Sequence, residues 1–275
     1  MHLHYFDMWP QIKQLLSHIE DYPYDLFVTM TKEQPELIQD IKNFHSNSWV
    51  KVVENRGYDI GPFIEFLHNI DLQKYDLILK IHTKNNAPGS VTHIGPYIIG
   101  RELWAKLLIH SLLGTPQQFK KNIKLFAKNK SLGMIGSQYL ISRKSTPNLQ
   151  AAVKQAIEKC GYSSKSMPFI AGTMFMCRAH LLEPIKNKYQ LTDFEPTDGK
   201  VRDGTLAHVM ERLFGCIVVA QGYKIKGCDG ICPQLFLQRI WRFIYTNKKT
   251  SSGYRLIKIF KLPIYKHKCN FTTQE

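Results

Sequence analysis

Apolar residues recur along this chain with two alternating periods. Met1–Met8 opens with His-Leu-His-Tyr-Phe and has the texture of a β-strand. Trp9-Pro10 then begins a helical period, with Ile12, Leu15, Leu16 and Ile19 returning to one face. Tyr24–Met30 reads as a second strand and Lys32–Phe44 as a helix with Leu37, Ile38 and Ile41 together. Trp49–Val53 is a third strand. Pro62–Ile70 is a helix, with proline suited to its first turn. Asp76–His82 is apolar enough for a strand covered on both faces. This alternation predicts an α/β protein with a doubly wound, mostly parallel sheet flanked by helices.

The second half continues less regularly. Helices are predicted at roughly Gly95–Leu113 and Pro116–Lys128, a strand at Leu132–Gly136 and a helix at Asn148–Cys160. Phe169–Arg178 reads as one strand, followed by a helix through Lys188. Tyr189–Arg202 is a polar loop with Asp193, Glu195 and Asp198. Gly204–Phe214 reads as a helix and Cys216–Gln221 as the closing strand. There is no internal repeat. After Cys232 the texture turns basic and aromatic, which divides the chain into a domain over 1–232 and a basic aromatic segment over 233–275.

Composition agrees with a folded body: 44% of the 275 residues are hydrophobic and 21% charged. The net charge of +15 is concentrated at one end, because nine lysines and arginines lie between Leu235 and the C-terminus against the single acid Glu275. Interleaved with Leu237, Ile240, Trp241, Phe243, Phe260 and Leu262, they suggest a basic amphipathic tail lying on an anionic membrane surface. Nucleic-acid binding and an ordinary closing helix rank behind, so no nucleic acid is expected as a partner. The six cysteines form no disulfide framework, and Cys228 and Cys232 lack the further ligands of a zinc site. A reduced, cytoplasmic setting follows as an expectation. No signal peptide is read at the start, and no apolar run approaches the roughly 20 residues of a membrane span.

Ligands of such sheets bind at the carboxyl ends of the strands. Two polar segments fall there. In Asn55-Arg56-Gly57-Tyr58-Asp59-Ile60-Gly61-Pro62 the glycines allow close backbone approach, the helix start offers N–H groups, Arg56 brings a positive fork and Asp59 an acceptor for hydroxyls. The segment is equally readable as a tight turn with Asp59 as the helix cap. In Lys80-Ile81-His82-Thr83-Lys84, His82 and Lys84 follow a buried strand and project at the same edge, where a cation could offset diphosphate charge, or else the segment is simply a polar surface loop. Gly172 and Thr173 could border a pocket, although core packing accounts for most of their strand. In Asp203–Arg212, Thr205, His208 and Arg212 share one side of a helix, Glu211 lies beside them and Asp203 stands at its start, where a cap would also stand. His2 and His4 face one side of a strand, with no third metal ligand evident, so core or surface residues are favoured over a metal pair.

Taken in order, His4-Tyr5-Phe6-Asp7-Met8-Trp9, Asn55–Phe63, Lys80–Lys84, Ala171–Arg178 and Asp203–Arg212 resemble the rhamnan synthesis protein F family of bacterial glycosyltransferases. The match spreads over about residues 2–222 and leaves the tail outside. The resemblance implies a GT-A-like fold, a nucleotide-sugar donor of rhamnose or galactofuranose type and a lipid-linked surface polysaccharide acceptor at the inner face of the cell membrane. It implies an inverting displacement with a carboxylate base, Asp203 first and Glu195 and Glu211 in reserve. Asn55, Arg56, Gly57, Asp59, Gly61, Lys80, His82 and Lys84 would then meet the donor, and Gly172, Thr173 and His208 the acceptor pocket. GT-A enzymes usually hold Mg or Mn on an Asp-x-Asp motif after the fourth strand. Here His82-Thr83-Lys84 stands there, so no metal ligand is assigned, and Lys84 and Arg56 could supply the positive charge. The absence of that motif also keeps in view a non-catalytic protein of the same fold that organises polysaccharide assembly at the membrane.

Overall fold

The computed structural model describes residues 1–5, 8–83, 91–94, 97–143, 145–164, 166–197, 204–249 and 254–268. These form two compact units, one of residues 1–94 and 99–229, the other of residues 95–98 and 230–275.

The larger unit is built on a seven-stranded sheet. Its strands are β1 (His2–Tyr5), β2 (Phe27–Met30), β3 (Trp49–Val52), β4 (Leu77–His82), β5 (Leu132–Gly136), β6 (Phe175–Arg178) and β7 (Lys224–Gly227), in the order β7-β5-β6-β4-β1-β2-β3. Only β6 runs antiparallel to its neighbours. Side chains alternate across this sheet. Phe27, His2, Lys80 and Phe175 are in register across four strands and share one face. That face is covered by α3 (Ile60–His68) and α7 (Leu206–Ala220), through a cluster of the Phe63, Phe66, Phe175 and Phe214 rings. α6 (Pro147–Lys159) packs on α7, and α1 (Trp9–Leu16) and α2 (Pro35–Phe44) follow β1 and β2 in the chain. On the other face Leu79 and Met176 line a cavity with Phe119 of α5 (Pro116–Lys128), beside α4 (Arg101–Leu113). The expected mixed α/β architecture, with helices on both faces of a mostly parallel sheet, is what the chain adopts.

Several expected boundaries shift for identifiable reasons. α3 begins at Ile60, because the N–H groups of Ile60 and Gly61 donate to the carbonyl of Gly57 and start the turn before Pro62. Cys216–Gln221 is not a strand. Its β-branched run continues α7 to Ala220, because Leu213, Phe214, Ile217 and Val218 are all buried and packing outweighs propensity. The closing strand is Lys224–Gly227 instead. The stretch Tyr97–Gly100 is extended, and its helix starts only at Arg101. Phe169–Arg178 is two strands, Phe169–Ile170 and β6, separated by a turn in which Gly172 and Thr173 take φ of 88° and 56°.

The smaller unit holds α8 (Pro233–Ile244) and an antiparallel three-stranded sheet of β8 (Tyr245–Lys249), β9 (Tyr254–Ile259) and β10 (Leu262–Lys268). The sequence reading expects a basic amphipathic tail over 233–275 and specifies neither this helix nor this sheet within it.

Candidate functional site

Five polar residues lie on the face of the sheet beneath α3, on strands that are otherwise apolar. His4 and His82 are paired across β1 and β4, one step above His2 and Lys80, and Thr29 is paired with His4 from β2. All five are buried. The Thr29 hydroxyl meets Nε2 of His2 and Nδ1 of His4, each at 2.9 Å. Burial, together with the Lys80 charge, holds His2 well below the usual imidazole range. Burial lowers His4 to about 4 against the pull of Asp59. Both rings are therefore neutral near pH 7.

The charged part of the stripe centres on Asp59. The residue occupies the N-cap position of α3, yet its side chain caps nothing. Its Oδ2 instead accepts from Lys80 Nζ at 2.5 Å and from the Thr173 hydroxyl at 2.5 Å, with His82 Nδ1 at 3.3 Å. Lys80 also donates to the Thr173 carbonyl at 3.1 Å and to its hydroxyl at 3.3 Å. Lys80 is fully buried, and burial lowers its pKa while Asp59 opposes that shift. The Asp59 side chain keeps 16% exposure, so the pair lies at the rim of the core.

Thr173 reaches this position through a costly turn. A β-branched residue at φ 56° is an outlier of the kind that concentrates at functional sites, at about 1–3 kcal/mol. α7 fixes the turn: Gly172 donates its N–H to Glu211 Oε1 at 2.7 Å. Arg212 in turn holds Glu211 Oε2 at 2.7 Å, the His208 carbonyl at 2.8 Å and the Ser145 hydroxyl at 3.0 Å. A Cβ at Gly172 would crowd Leu108 and Trp104.

The β3–α3 loop is closed from outside by residues that lie far along the chain. Gly57 donates to the Glu195 carbonyl at 3.1 Å, Thr197 to the Asn55 carbonyl at 2.8 Å, and the Tyr58 N–H to the Thr197 hydroxyl at 3.3 Å. Arg56 donates to Glu54 at 2.6 Å and to the Phe194 carbonyl at 2.9 Å, so its guanidinium holds the loop in shape. The glycines serve the same packing. A Cβ at Gly57 would strike the Phe194 ring, and one at Gly61 would overlap the Arg56 carbonyl. Both carboxylate oxygens of Glu195 accept from Leu206 N–H at 3.2 Å, at the start of α7. His208 Nδ1 lies 2.8 Å from the Thr205 hydroxyl, and its ring stands edge-on to Tyr58. Lys84 and Asp203 lie outside the described residues.

The structure thus joins Asp59, Lys80, His82 and Thr173 in one cluster and links Gly172 and Glu211 to it through the turn. His208 lies against Tyr58, on the loop that carries Asp59. Arg56 and Glu195 are engaged in holding loops and a helix end. The stripe of His2, His4 and Thr29 was not read as a site. Its signal was the placing of polar residues at alternate positions of strands predicted to be parallel neighbours.

The chain order 3-2-1-4 reverses direction between β1 and β4, and a crevice forms outside the carboxyl ends of strands at such a reversal. Met8, just after β1, and Thr83, just after β4, line a cavity of about 500 Å³ with Gln11, His18, Lys106 and His110. Among the described residues no group of three or more His, Cys, Asp and Glu is arranged to hold a metal ion. Nor is any helix among them long and apolar enough to cross a membrane.

Fold and site together define a mixed α/β domain, a mostly parallel seven-stranded sheet flanked by helices with a polar cluster beneath α3. The chain belongs to the rhamnan synthesis protein F family, whose model matches residues 1–223. It is also similar to "Uncharacterized protein WxcX" from two strains of Xanthomonas campestris pv. campestris, each 25% identical over 233 residues. That match covers 82% of this chain and 32% of the relative, so the chain spans about a third of the length of those proteins. No solved structure matches it.

Proposed function

We propose that this chain acts in polysaccharide biosynthesis as a GT-A-type glycosyltransferase domain. It would move a sugar of rhamnose or galactofuranose type from a nucleotide-sugar to a lipid-linked glycan. The observation that carries this reading is the convergence of Lys80, His82 and Thr173 on one oxygen of Asp59. A rim carboxylate fixed by a buried ammonium and a strained threonine is preorganised to accept hydrogen bonds from sugar or ribose hydroxyls. Membership of a family named for rhamnan synthesis supports the sugar chemistry.

In this reading Asp203 takes the proton of the acceptor hydroxyl as its oxygen attacks the anomeric carbon. The bond from that carbon to the diphosphate breaks, and the nucleoside diphosphate leaves with the electron pair. Lys84 supplies positive charge to the departing group. Glu195 and Glu211 are weaker candidates for the base because each already holds a backbone N–H. The test is a donor screen with purified protein, with and without chelator, scored for transfer and for nucleotide binding. Asp203→Asn should abolish transfer while leaving donor binding and the folded state intact. Transfer at the wild-type rate would remove Asp203 as the base, and failure to bind any sugar nucleotide would defeat the enzyme reading.

A further inference from the structure

The smaller unit presents its apolar side to solvent. In α8, Phe236, Leu237, Ile240, Trp241 and Phe243 recur at helical spacing on one arc, and all five are exposed, Leu237 and Trp241 at 63% each. The opposite side carries Gln238, Arg239 and Arg242 together with the fully buried Leu235, and Gln238 bonds both backbone groups of Ile98, at 3.2 and 2.9 Å. An amphipathic helix of a soluble domain ordinarily faces the other way.

A second apolar projection lies in the same unit. β9 and β10 are joined by the two residues Phe260 and Lys261, with φ of 46° and 65°. Two positive φ values define the hairpin turn that normally takes Asn-Gly. Phenylalanine there is strained, and the residue is 58% exposed. Leu262 follows at 69%. The tip lies beside the helix: the Phe260 ring is 6.1 Å from that of Phe243, and Lys261 Nζ stands 5.2 Å over the Phe243 ring.

We propose that residues 230–275 dock on an anionic lipid bilayer, with the apolar arc of α8 and the Phe260 tip entering the interface and the cations meeting the headgroups. Charge complementarity selects this occupant, since nine cations stand against one acid from Leu235 onward. Leu237, Ile240, Leu262 and Ile264 are aliphatic and exposed among the aromatic rings, a mixture that suits acyl chains. The cations disfavour a second copy of the same face. Lys261, with an apolar stem beside an aromatic ring, is placed to reach back to phosphate as the tip inserts.

The test uses the full chain with vesicles of phosphatidylcholine alone and of equal parts phosphatidylcholine and phosphatidylglycerol. Sedimentation with the anionic vesicles only, weakening as salt rises, is expected. Phe260→Asn is the decisive variant, because asparagine suits the positive-φ turn and preserves the hairpin while deleting the ring. It should lower partitioning about tenfold with thermal stability unchanged or raised. Leu237→Ser with Trp241→Ser should abolish binding. Unchanged partitioning of Phe260→Asn, equal binding to neutral vesicles, or capture of an oligonucleotide in preference to vesicles would overturn the proposal. So would concentration-dependent dimerisation that the serine variants abolish without any vesicle binding. Nucleotide-sugar binding is not involved in any of these readouts, so the two proposals fail separately.

Discussion

Asp59→Asn tests the centre of the site directly. The substitution keeps an oxygen for the Thr173 hydroxyl but removes the charge facing Lys80, whose side chain has no exposure. Stranding one member of a buried ion pair costs about 3–5 kcal/mol, and the lower figure suits an aspartate that keeps some solvent. About 3 kcal/mol corresponds to a fall in Tm of roughly 6–12 °C for a chain of this size. The loss depends on pH, and its sign can be worked out. Lys80 titrates below its ordinary 10.5 because burial outweighs Asp59, and without Asp59 it falls further. At a pH below the folded-state pKa both folded and unfolded chains carry the charge, and the penalty is complete. As pH rises past that value the folded chain sheds the proton, and the penalty has vanished above 10.5. The variant should therefore lie furthest below wild type at pH below the folded-state value and approach it as pH rises toward 10.5. Adding Lys80→Met should restore most of the stability at pH 7, because an apolar replacement of a buried pair is close to neutral, without restoring transfer. Urea unfolding of wild type, single and double variants at pH 7 and 9.5 measures all of this. A loss below about 1 kcal/mol, or no rescue by Lys80→Met, would refute the claim that the pair is coupled and buried.

Two further outcomes concern the frame around the pair. Gly57→Ala must place a Cβ at φ 64° against the Phe194 ring, so the urea midpoint should drop by the equivalent of about 2 kcal/mol or more; a loss within error would mean that the loop is not clasped as described. His4, lowered to about 4 from 6.5, makes the unfolded chain bind a proton that the folded chain refuses. Its contribution is complete above pH 6.5 and declines as pH falls from there to 4, by about 3 kcal/mol. Unfolding free energies across that window should fall less steeply for His4→Gln than for wild type, and parallel curves would count against a neutral buried His4.

Local pattern was a good guide wherever one period ran without competition. Trp49–Val52 and Pro116–Lys128 fall within a residue of expectation, because each repeats a single period between clear breaks. It failed where packing decided. Ile217, Val218 and Val219 have strand chemistry but extend a helix that is already anchored on both sides. The turn at Gly172 and Thr173 is hidden in an apolar run, since strain leaves no trace in hydropathy. The site was legible in parts only. Asp59 stood out as an acid at a strand-to-helix turn, but its hydrogen-bond partners Lys80 and Thr173 lie 21 and 114 residues away. For Arg56 nothing in the sequence signals the bonds to Glu54 and the Phe194 carbonyl, because a guanidinium that fastens a loop and one that awaits an anion have the same sequence.

The insertion of β6 between β4 and β5 also governs how the molecule is made. Four parallel strands are complete once His82 has left the ribosome, but the inner edge of β4 stays bare until Phe175–Arg178 arrives. Until then the Lys80 ammonium lacks the Thr173 hydroxyl and carbonyl, and the aromatic cluster lacks Phe175 and Phe214. Non-local closure of this kind is slow and exposes an unpaired strand edge on the way. A fragment that stops after the fourth strand would therefore be a sticky intermediate, and the shortest piece able to carry the Asp59 cluster must reach past Phe214.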